Sequence, residues 1–409
     1  MNPHLLFLGG DDHHLRIPFL LRLLGCGFRI SAAGSGDPAP FAAAGLDYFP
    51  YQFDRFINPI GDLSAIRAIA KLLAAVRPGL AQSFDTKPNL FLPLASRQVP
   101  GTIIVRTING LGWTYSSRSP LALAGRPIYR TLQHKAARAT SLTIFQNRED
   151  QSFFRRHRIS AGENTRLIPG SGIDCAAFER SQAEGATPGE LRGVFGLGAS
   201  KVVITVTRLT RQKGIASLLA AAALVHEARP DVRFLLAGSR ATEGPFAIAQ
   251  AEIDRHSPYV MAIGPRSDVP ALLRMAGVFL YPTEYREGVP RALLEAGLAG
   301  LPIVTTNMPG CTAVVRDGWN GFVVPARSPH ALAAKILDLL SDERAAASMG
   351  RRSIDLVKRE FSLDAVAASY AAAYRELIDC AAMARRGRLT SRPDTLAASQ
   401  EDCSPKVPA

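Results

Sequence analysis

Cysteine is scarce in this 409-residue chain, and its spacing excludes the usual cysteine-based scaffolds. The cysteines form no Cys-x-x-Cys pair and no cysteine–histidine zinc pattern; they are Cys26, Cys175, Cys311, Cys380 and Cys403. An odd and scattered set does not predict a disulfide framework. The sequence therefore predicts a protein of a reducing compartment without structural zinc.

Long hydrophobic runs are also missing. Because no stretch of 18 apolar residues occurs, the sequence predicts no transmembrane helix. The first residues, MNPHLLFLGGDDHH, have no basic segment and too short an apolar run for a secretory signal peptide. We therefore expect a cytoplasmic protein, with any membrane contact peripheral and at the inner face of the cytoplasmic membrane.

Acidic residues are too few to balance the basic ones, and the formal net charge is +13. The excess is concentrated in residues 118–158, where Glu149 and Asp150 oppose Arg118, Arg126, Arg130, Lys135, Arg138, Arg148, Arg155, Arg156 and Arg158. This segment is either an ordinary solvated face or a surface for anionic lipid or a pyrophosphate-bearing molecule. Nucleic acid is not expected as a partner, because no zinc-finger or RRM signature is present.

The length suggests two or three domains, and strands alternate with helices in two separate series. The strands of the first series are predicted at 5–8, 28–32, 80–83, 103–107, 142–145 and 165–169, with helices at 15–24, 63–76, 126–139 and 148–156. A second series begins with the strand 202–206. We predict an α/β protein with domains at 1–181 and 199–360 and a Gly/Ala/Pro-containing linker at 182–198.

Glycine and polar residues end two strands of the first series. Gly9 and Gly10 precede a helix start, where backbone can approach a phosphate, although an ordinary tight turn has the same signature. Asn109 and Gly110 end another strand, at the edge where open parallel sheets bind ligands. Histidines at a helix start, such as His13 and the residue after it, are usually solvated; in a sugar pocket one could form a hydrogen bond.

Two cations follow the first strand of the second series. Arg208 and Lys213 lie at a strand-to-helix junction, where they could converge on a diphosphate and offset the charge of a leaving group. The alternative is a pair of surface cations.

The stretch 281–325 predicts a strand, a loop, a helix and a second strand. Pro290 suits the first helical turn, and Leu294 lies on the apolar face of the helix. Glu287 in the loop and Glu295 in the helix could be an acid–base pair, two acceptors for the hydroxyls of one extended ligand, or surface carboxylates. Because the two lie on different elements, we favour separate hydrogen-bonding roles.

This stretch resembles the donor-site signature of the family-4 glycosyltransferases. The resemblance rests on the E-x7-E motif from Glu287 to Glu295, on GLPIV and on DGWNGFVVP; elsewhere it includes TKPNL, NGLGW, FQNREDQSFF, IPGSGIDCAAF and the R-L-x-x-x-K-G pattern at Arg208. It covers most of residues 80–375 and is strongest for bacterial enzymes of capsule, O-antigen and protein-linked glycan synthesis. Two departures occur: no histidine precedes Asn109, and the chain has Asn-Gly where the most similar subgroup has Thr-Gly.

The resemblance implies the GT-B fold, in which two Rossmann-like doubly wound domains face each other across a cleft. It implies that Arg208 and Lys213 bind the donor diphosphate, that Glu287 binds the donor sugar and that Glu295 binds the ribose. The other residues implied to bind substrate are Gly9, Gly10, Asn109, Gly110, Gly264, Pro265, Arg266, Gly288, Val289, Pro290 and Leu294. A final helix, 361–380, is expected to cross back to the first domain, and the composition of 384–409 predicts a disordered tail.

The resemblance further implies transfer of a sugar from a nucleotide-sugar, favouring a UDP-sugar, to a lipid-linked saccharide with retention of configuration. No cofactor is expected, and no Asp-x-Asp metal motif is present. Two alternatives stay open: a nucleotide-sugar epimerase and a non-catalytic protein that binds a sugar nucleotide.

Overall fold

The computed structural model describes residues 2–54, 58–117, 119–160, 162–170, 172–240 and 246–390. In these ranges the chain forms a seven-stranded and a six-stranded sheet. The first contains β1 (His4–Gly9), β2 (Arg29–Gly34), β3 (Asp47–Pro50), β4 (Leu80–Ser83), β5 (Ile103–Ile108), β6 (Leu142–Phe145) and β7 (Thr165–Leu167). The second contains β8 (Lys201–Val206), β9 (Val232–Ala237), β10 (Val260–Gly264), β11 (Val278–Tyr281), β12 (Ile303–Thr306) and β13 (Gly321–Val324).

Both sheets are parallel and doubly wound. The strand orders are β3-β2-β1-β4-β5-β6-β7 and β10-β9-β8-β11-β12-β13. The order reverses between β1 and β4 in the first sheet and between β8 and β11 in the second. Ligands of open α/β sheets bind at such switch points, beyond the carboxyl ends of the strands.

Helices cover both faces of each sheet, which explains why the central strands are apolar on both sides. Leu5–Leu8 of β1 and Phe279–Leu280 of β11 are completely buried. Burying each such side chain contributes roughly 1.5–3 kcal/mol.

The described helices follow the chain order of two α/β series. They are α1 (Ile17–Gly25), α2 (Ala39–Ala43), α3 (Pro59–Val76), α4 (Pro88–Ser96), α5 (Gly112–Ser116), α6 (Pro120–Ala137), α7 (Arg148–Arg156), α8 (Cys175–Glu184), α9 (Pro188–Val194), α10 (Ile215–Ala228), α11 (Gln250–Asp254), α12 (Val269–Arg274), α13 (Arg291–Leu298), α14 (Pro309–Thr312), α15 (Pro329–Ser341), α16 (Glu343–Leu356) and α17 (Leu363–Thr390). Short 3₁₀ helices span Asp11–Arg16, Gly162–Asn164 and Arg211–Lys213, and a π-helical turn spans Val357–Phe361.

The last helix, α17, packs on the first sheet although it follows the second in sequence. Tyr370 and Tyr374 are fully buried in the core that contains Phe7 and Phe19. Their hydroxyls lie 3.1 Å from Thr107 Oγ1 and 3.1 Å from Gln82 Oε1. None of the helices in the described ranges is both long and apolar enough to cross a membrane.

Three local predictions differ from the structure. Most of the predicted linker 182–198 is helical, because Thr187 and Glu190 form a capping box around the Pro-Gly start of α9. Residues 384–390, predicted to be disordered, continue α17; the rest of the predicted tail lies outside the described residues. The strand β3 was not predicted, since DYFP is short and only partly buried.

Candidate active site

An ion pair between a buried lysine and a partly buried glutamate occupies the switch point of the second sheet. Lys213 Nζ lies 2.9 and 2.7 Å from the two carboxylate oxygens of Glu287. The hydroxyl of Tyr281 joins both, donating to Glu287 Oε1 at 2.9 Å and lying 3.0 Å from Lys213 Nζ. Lys213 is only 7% exposed, and burial together with the Glu287 carboxylate raises the pKa of Tyr281 well above its usual range. The site therefore holds a balanced pair of charges with little access to water.

Local backbone geometry creates this ion pair. Thr210 caps the 3₁₀ helix and accepts from Lys213 N at 3.3 Å. Gly214 has φ +72°, and a Cβ there would lie 1.9 Å from the carbonyl oxygen of Pro282. Only glycine permits this approach between the loops after β8 and β11. The Lys-Gly sequence thus brings the ammonium group against the strand that carries Tyr281.

The second carboxylate of the motif lies on α13, which begins after Pro290 as its N-cap. Glu295 accepts from Arg291 Nε at 2.8 Å, and its side chain is 16% exposed. Leu294 is buried in the core of the second sheet, where it supports the helix. Glu287 and Glu295 thus have different partners, which agrees with separate roles.

The other predicted donor-side residues lie in open surroundings. Arg208 is exposed, unlike Lys213. Gly264 has φ +73° and open space where a Cβ would lie. Pro265 and Arg266 are exposed, and Arg266 forms an ion pair with Asp268 at 2.6 Å. Exposed groups of this kind leave room for a ligand at the carboxyl edge of the sheet.

Asp85 organises the switch point of the first sheet. Its carboxylate accepts from Gly10 N at 3.0 Å, from Arg16 Nη2 at 2.9 Å and from Asn109 Nδ2 at 3.2 Å. Burial by itself would raise the pKa of Asp85, but the Arg16 charge and the Gly10 N–H outweigh it, and the pKa is lowered. The N–H of Gly10, predicted to meet a ligand, is thus engaged by a carboxylate.

The usual expectation of a solvated histidine at the first helix is wrong for His13. Its side chain is fully buried and stacks on Phe41, with ring centroids 5.3 Å apart. A Cβ on Gly9 would lie 2.2 Å from His13 Nδ1, so Gly9 packs against the ring. Burial lowers the pKa of His13 to about 3, and the imidazole is neutral at physiological pH.

The first half of the molecule, which contains the seven-stranded sheet, touches the second half, which contains the six-stranded sheet. The contact lies between the Asn109-Gly110 turn and the loop after β11. Gly110 has φ +107°, and a Cβ there would lie 2.8 Å from backbone atoms of Arg286 and Glu287. A Cβ on Gly288 would lie 1.8 Å from Gln146 Oε1. Beside this contact is a cavity of about 150 Å³, lined by both halves and including Asp85, Asn109, Tyr129, Gln133, Tyr285 and Arg286.

Sequence reasoning missed several polar residues at this contact. Tyr281 looked like the end of an apolar strand, Gln146 like a strand terminus, and Asp150 like one of few acidic residues in a basic segment. Their partners are distant in sequence, so no local pattern identified them. Within the described ranges, no group of three or more His, Cys, Asp or Glu side chains could hold a metal ion.

Part of the chain matches a known protein family, and the whole fold resembles solved structures. Residues 190–355 match the family described as "Glycosyl transferases group 1". The chain is 26% identical to the UDP-Gal:alpha-D-GlcNAc-diphosphoundecaprenol alpha-1,3-galactosyltransferase of Escherichia coli over 281 residues, 68% of this chain and 70% of that protein. It is 26% identical to the N,N'-diacetylbacillosaminyl-diphospho-undecaprenol alpha-1,3-N-acetylgalactosaminyltransferase of Campylobacter jejuni over 301 residues, 73% of this chain and 78% of that protein. A solved glycosyltransferase from Rickettsia africae superposes with a TM-score of 0.76 at 15% identity, covering 92% of this chain and 99% of that one.

Two doubly wound parallel sheets, with loops in contact beside their switch points, are the GT-B fold, which this chain shares with the solved glycosyltransferase. Within that fold, residues 190–355 match the glycosyl transferases group 1 family, and both relatives described above are named as glycosyltransferases.

Proposed function

We propose that the protein is a retaining family-4 glycosyltransferase that moves a sugar from a UDP-sugar to a lipid-linked saccharide. The observation that carries the proposal is the pair between buried Lys213 and partly buried Glu287 at the second switch point, directly beside the Asn109-Gly110 turn of the first half. Such a place suits a reacting bond, because charged groups are worth most where water is excluded.

In this proposal Arg208 and Lys213 stabilise the departing diphosphate. Arg208 is exposed, whereas Lys213 is buried and held by Glu287 and Tyr281. With Lys213 neutralising its charge, Glu287 can accept hydrogen bonds from the hydroxyls of the donor sugar. The donor phosphate would take the acceptor proton on the same face of the sugar, so that no protein nucleophile and no metal ion is needed.

Glu295 would bind the ribose and the 264–266 turn the base. The Arg291–Glu295 pair is an i,i+4 contact on the helix surface, in which Arg291 is 64% exposed and Glu295 is 16% exposed. Pairs of this kind contribute only about 0.3–0.5 kcal/mol. Glu295 can therefore exchange this partner for a ribose hydroxyl at little cost.

The acceptor is assigned to the first half. Both curated relatives described above are named for diphospho-undecaprenol-linked acceptors, and the first is named for UDP-Gal. In this chain the first half of helix α6 exposes Leu121 (70%) and Ile128 (64%), while Tyr129 of the same helix lines the cavity. Lys135 and Arg138 at its end are exposed as well. Apolar and basic groups beside the cavity suit an anionic membrane surface that presents a lipid-linked substrate.

Substitution of Arg208 tests the proposal. In Arg208→Ala we expect kcat for sugar transfer to fall roughly 10²- to 10³-fold, as for the loss of one group that stabilises a developing negative charge. Arg208 is exposed, so the melting temperature should change little. Arg211→Ala is the matched control, because Arg211 is an exposed arginine of the next turn that pairs with Glu252.

The assay supplies UDP-sugars with an undecaprenyl-diphosphate-linked saccharide and measures product together with its anomeric configuration. A kcat for Arg208→Ala within threefold of wild type would refute the role of Arg208. Inverted product would refute retention. Conversion of the donor without acceptor would indicate an epimerase, and stabilisation by UDP without transfer would indicate a non-catalytic binding protein.

A further inference from the structure

We propose that Gln146 and Asp150 of the first half are positioning residues that fix the donor loop, defined as residues 285–289 of the second half. The inference rests on the proposed function, since it gives these residues their effect through Glu287. Neither residue is assigned to contact substrate.

Gln146 bridges the two halves with both ends of its carboxamide. It directly follows β6 and is 6% exposed. Its Nε2 donates to Asn109 Oδ1 at 3.1 Å, and its Oε1 accepts from the N–H of Val289 at 3.0 Å. The missing side chain of Gly288 makes this approach possible, as any Cβ there would overlap the same oxygen. One side chain thus ties the Asn109 turn to the end of the donor loop.

Asp150 fixes the other end of the loop. Its carboxylate is completely buried, accepting from Arg286 Nη2 at 2.9 Å and from Asn147 Nδ2 at 2.8 Å. Burial nevertheless raises the pKa of Asp150 above its ordinary value. Arg286 provides the cation that balances this carboxylate, and it comes from the opposite half.

The backbone of the loop is held by the first half as well. Arg286 N donates to Ser116 Oγ at 2.7 Å, and Arg286 O accepts from Gly112 N at 3.3 Å. Contacts with the first half therefore flank Glu287 on both sides, whereas the Glu287 carboxylate is held by Lys213 of the second half. The direction in which Glu287 faces the cleft depends on both sets of contacts.

The chemical character of these contacts favours a role in positioning Glu287 over a role in stabilising the contact between the two halves. A buried ion pair is weak evidence for stability, because desolvation offsets much of its attraction. Directional hydrogen bonds on either side of a carboxylate do, however, restrict its orientation. Misplacement of a reacting group by about 1 Å can cost on the order of 100-fold in rate.

Hydrogen exchange of the free protein tests the fixation without any substrate. In Gln146→Ala and in Asp150→Asn we expect amides of residues 285–289 to exchange at least tenfold faster than in wild type. The control is Gln151→Ala, which removes a glutamine of α7 that donates to Thr165 Oγ1 within the first half at 3.0 Å. Unchanged exchange in both variants, or equal acceleration in the control, would overturn the proposal.

Kinetic measurements then distinguish a positioning role of Gln146 and Asp150 from a purely structural one. We expect kcat to fall about 10- to 100-fold in Gln146→Ala and Asp150→Asn, with the KM for the UDP-sugar within about threefold of wild type. The double variant Asp150→Asn/Arg286→Gln should be no slower than Arg286→Gln alone. Each of the two changes removes the same contact, the ion pair between Arg286 and Asp150.

Other outcomes have definite meanings. Lower melting temperatures with unchanged kcat would overturn the inference in favour of a merely structural contact. Tighter UDP-sugar binding by Gln146→Ala would also overturn it, by showing that Gln146 blocks the Val289 N–H. If wild type transfers no sugar, the proposed function fails, and faster exchange in the variants would still support fixation of the loop.

Discussion

At the scale of single residues, His13 predicts a measurable sensitivity to acid. Its pKa is about 3 in the folded protein, against about 6.5 in the unfolded chain. Between these values the unfolded chain binds a proton that the folded protein does not, so the free energy of unfolding falls as the pH decreases. The full effect is roughly 4 to 5 kcal/mol, at about 1.4 kcal/mol for each pKa unit.

Urea denaturation between pH 7 and pH 4 measures this effect. We expect the wild type to lose stability as the pH falls over this range. His13→Leu has no titrating side chain at position 13 and should lose much less. His14→Leu changes an exposed neighbour and should behave as wild type. Parallel pH profiles for wild type and His13→Leu would contradict the assignment.

At the scale of elements, α17 is expected to stabilise the half of the molecule from which it is most distant in sequence. Tyr374 donates to Gln82 Oε1, both residues being fully buried. Tyr374→Phe keeps the ring but leaves the carboxamide oxygen without this donor. We expect a loss of about 1–3 kcal/mol in the free energy of unfolding, measured by urea titration.

Ser369→Ala is the control on the same helix, because Ser369 is exposed and its hydroxyl bonds only within α17, to Ala365 O at 2.9 Å. Equal stabilities of Tyr374→Phe and Ser369→Ala would show that the contact between α17 and β4 contributes nothing.

At the scale of the whole molecule, the exposed apolar side chains Leu121 and Ile128 of α6 predict an orientation at a membrane. We expect the protein to bind vesicles containing anionic lipid and to bind less at high salt, where charges are screened. The double variant Leu121→Ser/Ile128→Ser should bind at least tenfold more weakly, since burial of each side chain in the lipid interface is worth roughly 1.5–3 kcal/mol. Val194→Ser removes a 73% exposed side chain from α9 and serves as the control. Cosedimentation with vesicles measures both, and equal binding of the double variant would exclude this surface.

Local patterns predicted much of the secondary structure. The strand at 142–145 and the helix at 148–156 occur with the predicted bounds, because apolar runs and an Asn cap define them within a few residues. The GT-B fold was confirmed, although it came from motif resemblance and not from periodicity. The helix α9 was missed because Pro188 and Gly189 suggested a linker, whereas proline is also typical of a first helical turn.

The candidate site was predicted as a set of residues and not as a set of contacts. Lys213 and Glu287 were both identified, but their ion pair spans 74 positions in sequence. The buried state of His13 and the bridge from Gln146 to Val289 had no local signature either, since each depends on a partner from another element.

The sequence by itself determined the alternation of strands and helices, the glycines where backbones approach closely, and the charged residues at the ends of β8 and β11. These features depend on local sterics and hydrophobic periodicity, which act over a few residues. Only the tertiary structure decided which charges pair, because that depends on which strands become neighbours and on how far water is excluded. The same packing gives Glu287 contacts with both halves: its carboxylate is held by Lys213, and its neighbours in the chain are held by Ser116 and Gln146 of the first half.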